Sequence, residues 1–111
     1  MIELTIKNYL DRHLKVPSFF EHEADLPERF VMIDRTSGNS QNTLKTATLA
    51  FQSYAESLYE SAILNEQVKS VVTNMIELDI IAKVKLNSDY NFTDTETKRY
   101  RYQAVFEIYY Y

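Results

Sequence analysis

Residues 44–77 read LKTATLAFQSYAESLYESAILNEQVKSVVTNMIE, and the hydrophobic period changes once within them. Up to Tyr54 the alternation is by two: Ala47, Leu49 and Phe51 face one way and Thr46, Thr48, Ala50 and Gln52 the other, which predicts a strand. Ser53 or Ser57 then stands where a helix cap belongs, and Leu58, Ala62, Val68, Val71, Val72 and Met75 recur at helical spacing through about Glu77. A strand running directly into a long amphipathic helix decides the fold class, because the sheet must bury a face against that helix.

Working outward toward the N-terminus, PERFVMIDR predicts another strand, with Phe30, Met32 and Asp34 on one face and Val31, Ile33 and Arg35 on the other. Between the two strands, TSGNSQNT at residues 36–43 holds the only glycine and almost nothing apolar, so it is expected to be a mobile connection. Residues 24–28 around Pro27 predict a turn, and residues 16–23 an extended segment with Phe19 and Phe20 on opposite sides. Ile2, Ile6, Tyr9, Leu10, His13 and Leu14 lie at helical spacing ahead of Pro17, which predicts a first amphipathic helix.

Toward the C-terminus, Ala82, Val84, Leu86 and Tyr90 alternate with Ile81, Lys83, Lys85 and Asn87 in a half-buried strand. The short connection NFTDTETK then makes an antiparallel hairpin with the closing strand RYRYQAVFEIYYY. In that strand Tyr100, Tyr102, Ala104, Phe106, Ile108 and Tyr110 form a core face. Arg99, Arg101, Gln103, Val105, Glu107, Tyr109 and Tyr111 form a second face that turns apolar at its end, more than a one-sided sheet needs. The prediction is one α+β domain over residues 1–111: a mostly antiparallel sheet of four to five strands with two helices on one face.

Composition narrows the function. The net charge is −4 and the pI about 5.1, which works against wrapping a phosphate backbone. Cysteine is absent, which removes disulfides, thiolate nucleophiles and cysteine metal sites. A single glycine excludes a Gly-rich phosphate loop. The opening MIELTIKNYLDRHL lacks the apolar run of a signal peptide or membrane span, so an intracellular protein is expected.

His22 between Glu21 and Glu23 offers metal chemistry, but on a strand the carboxylates face away from the imidazole. Asp25 with Glu28, and Asp94 with Glu96, fall in turns without a partner base. The serines carry no nucleophile motif. No catalytic, metal or cofactor residues are therefore assigned, and the chain is not expected to be an enzyme. KRYRYQAVF resembles the stacking strand of an RNA-recognition motif, yet its tyrosines belong to the core face and the motif's glycines are missing. Asn91, Phe92 and Thr93 match a glycosylation sequon, read as a chance match.

Taken in order, the motifs resemble those of the tail terminator (tail-completion) proteins of long-tailed bacteriophages. PERFVMIDRTSG is similar to the family's proline-led strand ending in an arginine and a glycine-bearing loop, through Pro27, Phe30, Val31, Arg35 and Gly38. ATLAFQSYAES running into the helix, and Arg101, Tyr102, Gln103 and Ala104 after an aromatic-turn-aspartate segment, continue the likeness over about residues 14–108. Thr95 stands where the family often has a proline, and Lys98 where it often has a glycine.

The resemblance implies a hexameric ring at the head-proximal end of the tail tube. Such a ring ends tube polymerisation and offers the joining surface for the head. Its partners would be further copies of the chain, the tail tube protein and a head-completion protein; DNA would pass through without specific binding, and no membrane or cofactor is implied. The location would be the virion, after assembly in the host cytoplasm. Within it, Val105, Tyr109 and Tyr111 are candidates for a subunit boundary, the other placement being against the first helix of the same chain. Thr36, Ser37, Gly38, Asn39, Ser40, Gln41 and Asn42 are candidates for a loop facing the tube or channel, the alternative being an idle turn. Other readings of the chain are a head-tail connector or minor capsid subunit, and a cellular α+β module binding a small ligand or peptide.

Overall fold

The computed structural model describes residues 1–41 and 44–111. Helix α1 (Ile2–His13) leads to a two-residue strand β1 (Ser18–Phe19), then β2 (Phe30–Gln41), β3 (Leu44–Tyr54), helix α2 (Leu58–Asn74), a 3₁₀ turn (Met75–Glu77), β4 (Ile81–Asn91) and β5 (Arg101–Tyr110). The sheet order is β1-β2-β3-β5-β4, antiparallel throughout except for β1 beside β2. The fold is thus α+β, with the predicted element order.

Both helices lie on one face of the sheet. Ile2, Ile6, Tyr9 and Leu10 of α1 and Leu64, Val68 and Val72 of α2 share a cluster with Val31, Ile33, Ala47, Leu49, Phe51, Ala104, Phe106 and Ile108. Phe51 and Phe106 meet edge to face at 5.9 Å in its centre, and burying each such ring contributes about 1.5–3 kcal/mol. A smaller cluster of Phe30, Met32 and Tyr54 occupies one end of the opposite face, under Phe19 and Leu26.

Several expectations are corrected. Thr36, Ser37, Gly38, Asn39, Ser40 and Gln41 are not a connection. They continue β2, paired with β3 as far as Gln41 opposite Leu44, with a bulge between Arg35 and Ser37. Polar composition suggested a loop, but the long alternating β3 supplies a ladder partner along the whole stretch. Asn42 and Thr43 lie outside the described residues.

The first turns of α2 also differ. Ser57 is the N-cap, its side chain accepting from the Glu60 N–H at 3.1 Å. The buried stripe begins with Ser61, Leu64 and Asn65, while Leu58 is exposed and Ala62 half-buried. Asn65 is drawn inward by its bond to Asp89, 2.6 Å away on β4.

Strand β4 departs from simple alternation because it carries two bulges, between Ile81 and Lys83 and between Leu86 and Ser88. Each bulge adds one residue and reverses the parity beyond it. Ile81 therefore faces the core with Val84, and Tyr90 sits on the opposite face from the one predicted. In the turn before β5, Lys98 has φ 54°, the left-handed conformation that glycine accepts without strain. Lys98 is the residue standing where the resembling family often has glycine.

Candidate functional site

Strand parity places a single row of residues on the sheet face away from the helices. The cross-strand pairs are Thr46 with Tyr109, Thr48 with Glu107, Ala50 with Val105, Gln52 with Gln103 and Tyr54 with Arg101. On the flanks, Asp34 lies beside Ala50 on β2, and Lys83, Lys85 and Tyr90 lie beside Tyr109, Glu107 and Gln103 on β4. Apart from the end under Phe19 and Leu26, nothing among the described residues covers this face.

Its chemistry is ordered. Arg101 Nη1 donates to Tyr54 Oη at 2.9 Å, Tyr54 Oη to Gln52 Oε1 at 3.4 Å, Gln52 Nε2 to Gln103 Oε1 at 2.8 Å, and Gln103 Nε2 to Tyr90 Oη. The donors run head to tail, from β5 to β3, along β3, back to β5 and on to β4. Gln103 is 9% exposed, so the amides are held by their neighbours and not by solvent. Sequence reading missed this row as a unit, because glutamines and tyrosines on separate strands carry no local signal; the pairing of β3 with β5 brings them together.

At the covered end Tyr54 stacks on Phe30 at 4.5 Å, with the Arg99 and Arg101 guanidinium groups 5.2 and 5.6 Å from its ring centre and His22 edge-on at 5.8 Å. Arg101 also lies 4.5 Å over Phe92. An open cleft of about 360 Å³ runs alongside, lined among others by Pro27, Phe30, Tyr54, Lys98 and Arg99. Its rim carries Glu56, whose carboxyl the Arg29 guanidinium holds below the usual carboxylate range. Among the family-like positions, Pro27, Phe30 and Arg101 thus gather around Tyr54. Arg35 is elsewhere, paired with Glu3 of α1 at 3.1 Å, and Tyr102 is on the helix side opposite Ser53.

At the other end Val105 and Tyr109 are half-buried on the uncovered face, with Lys83 Nζ 5.5 Å from the Tyr109 ring centre. Neither packs on α1, since the helices occupy the opposite side. Tyr111 is separate from them: it is 61% exposed and lines a cleft of about 260 Å³ with Met1, Thr5 and Ile80 at the start of α1.

Around α2, Lys69 bridges Asp89 and Glu66, and its pKa is raised by the bond to Asp89 first and Glu66 second. No group of three or more His, Cys, Asp or Glu among the described residues is arranged to hold a metal ion, and no described helix is long and apolar enough to cross a membrane. What the arrangement offers is a hydrogen-bonded surface of about one strand's length with small residues at its centre and aromatic and cationic groups at both ends. Scanned against protein-family models and searched against curated proteins, the chain matches no family and no curated relative.

Proposed function

We propose that this chain is a structural subunit that works by assembling with further copies of itself, and that the assembly is a hexameric ring of the tail-terminator kind. The observation that carries this is the uncovered sheet face. A one-sided antiparallel sheet can face water with alternating polar residues. Here the face instead holds half-buried Val105 and Tyr109 beside an internally satisfied amide row, with Ala50 already buried between the strands, the mixed composition of a surface made to be covered. In a ring each subunit's face is covered by its neighbour, and rotational closure leaves none exposed.

The order of motifs from Pro27 to Ala104 supports the terminator reading over a connector or minor capsid subunit. In that reading the ring caps the tail tube, meets a head-completion protein on its other side and resides in the virion. The net charge of −4 suits a channel through which DNA passes without being held.

Negative-stain electron microscopy of the concentrated chain tests the proposal. Closed rings of uniform diameter are expected, and they are expected to disappear in Val105→Glu/Tyr109→Glu, which puts charge on the covered face while leaving the helix-side core intact. Absence of rings at every concentration, or rings unchanged in that variant, overturns it.

A further inference from the structure

We infer that residues 20–28 form a strap over the aromatic end of the uncovered sheet face, and that this strap lifts off Phe30, Met32 and Tyr54 while the rest of the fold stays closed. Both ends of the segment are anchored. On one side Asp11 and Lys7 hold Ser18, and Phe19 pairs with Met32. On the other the Arg29 guanidinium holds Glu56 and reaches Glu60 at 3.4 Å.

Between the anchors the fastening is slight. Among the described residues no backbone hydrogen bond joins residues 20–28 to a helix or to the sheet, and none of their side chains enters an ion pair. What reaches the sheet is Leu26, half-buried against Phe30, Met32 and Tyr54, with His22 edge-on to Tyr54 at 5.8 Å. Every other residue of the segment is exposed.

The strap also has an open flank. Glu23, Ala24 and Pro27 line the cleft of about 360 Å³ from the strap's side, and Lys98 and Arg99 line it from the side of the turn between β4 and β5. Neither cation closes an ion pair across it, so Glu21, Glu23, Asp25 and Glu28 remain four neighbouring carboxylates that repel one another. A segment with one apolar fastener, no ladder and crowded like charge belongs to the low-stability end of a fold, where opening is local.

The layer beneath is built differently. Phe30 and Met32 are ladder residues of β2, opposite Tyr54 and Gln52, so they keep their places when the strap lifts. Opening therefore uncovers an apolar and aromatic patch contiguous with the amide row at Gln52. What the strap gates is the length of the uncovered face, which stops at Gln52 when it is closed and runs on to Phe30 when it is open. The device lies within one chain and is independent of any ring.

The three methionines report on it without substitution. Met1 is 79% exposed, Met32 lies under the strap and Met75 is sealed in the helix-side core. Dilute hydrogen peroxide transfers one oxygen to a methionine sulfur that it reaches, giving the sulfoxide and water, and peptide mass spectrometry reads each site. Met32 is expected to oxidise at least about tenfold more slowly than Met1 and about tenfold faster than Met75. Low urea is expected to speed Met75, which needs global unfolding, and to leave Met32 nearly unchanged, because lifting the strap exposes little surface.

Leu26→Ser removes the fastener at a half-buried position. It is expected to speed Met32 several-fold with the Met75 rate unchanged, and Met75 in the same sample shows that the fold is intact. A Met32 rate equal to that of Met75, with the same urea dependence, overturns the inference, since Met32 would then open only with the whole fold. A rate equal to that of Met1 overturns it too, because nothing would then cover Met32. So does a Leu26→Ser chain in which Met32 is unchanged or both methionines speed up alike.

Discussion

Asp11 on α1 holds Ser18 on β1 at two points, its Oδ1 accepting the Ser18 N–H at 3.0 Å and the Ser18 Oγ–H at 2.6 Å. Lys7 completes the clamp, donating to Asp11 Oδ2 at 2.7 Å and to Ser18 O at 2.8 Å. This ties the short β1 to the helix layer. Partial burial works against the carboxylate, but the bonds from Lys7 and Ser18 outweigh it, and the Asp11 pKa lies below its ordinary value.

A lowered folded-state pKa stabilises at pH above the unfolded value, about 3.9, and that stability is lost as pH falls through the folded value. Asp11→Asn is therefore expected to lower stability at neutral pH by about 1 kcal/mol and to flatten the acid limb of the pH profile below the ordinary carboxylate range. Denaturant unfolding from pH 7 to 2 measures both.

Lys98 adopts φ 54° in the turn between β4 and β5. For an L-residue that conformation costs about 1–2 kcal/mol, partly offset by glycine's greater freedom when unfolded. Lys98→Gly is expected to stabilise the chain by about 0.5–1 kcal/mol, read as a rise in melting temperature. Lys98→Ala, which keeps the Cβ, is expected to give no such gain.

Gly38 is required by a neighbour and not by its backbone angle. A Cβ built there would lie 2.1 Å from Arg35 Nη2, on the guanidinium that reaches Glu3. The guanidinium is the far end of a flexible side chain, so Gly38→Ala is expected to displace it and forfeit the ion pair, at a cost below about 1 kcal/mol. In an Arg35→Ala background the same change is expected to cost nothing, and a double-mutant cycle in urea gives the difference.

Gln52 and Gln103 share the central bond of the amide row at 2.8 Å. Gln103→Leu leaves Gln52 Nε2 without its acceptor and is expected to destabilise by about 1–3 kcal/mol. The pair Gln52→Leu/Gln103→Leu removes both partners and is expected to recover most of that loss, though it enlarges the apolar area of the uncovered face. Thermal melts of the three variants, with light scattering to follow self-association, test this.

The order of elements, the parity of β3 and β5 and the identity of the core residues Ile6, Leu49, Phe51, Val68 and Phe106 were legible in the sequence. Periodicity is local: a residue's side of a strand or helix follows from its immediate neighbours. What the sequence did not carry was everything set by a distant partner. The polar stretch after Arg35 is a strand because β3 runs opposite it, and β4 changes face twice because its pairing with β5 absorbs Ala82 and Asn87 as extra residues. The candidate surface belongs to the same class. Gln52, Tyr90 and Gln103 are unremarkable in their own segments, and only the register of three strands aligns their amides and hydroxyl into one row. Local period determined which residues could be buried; ladder pairing decided which of them meet, because a register is a relation between strands and is written in neither one alone.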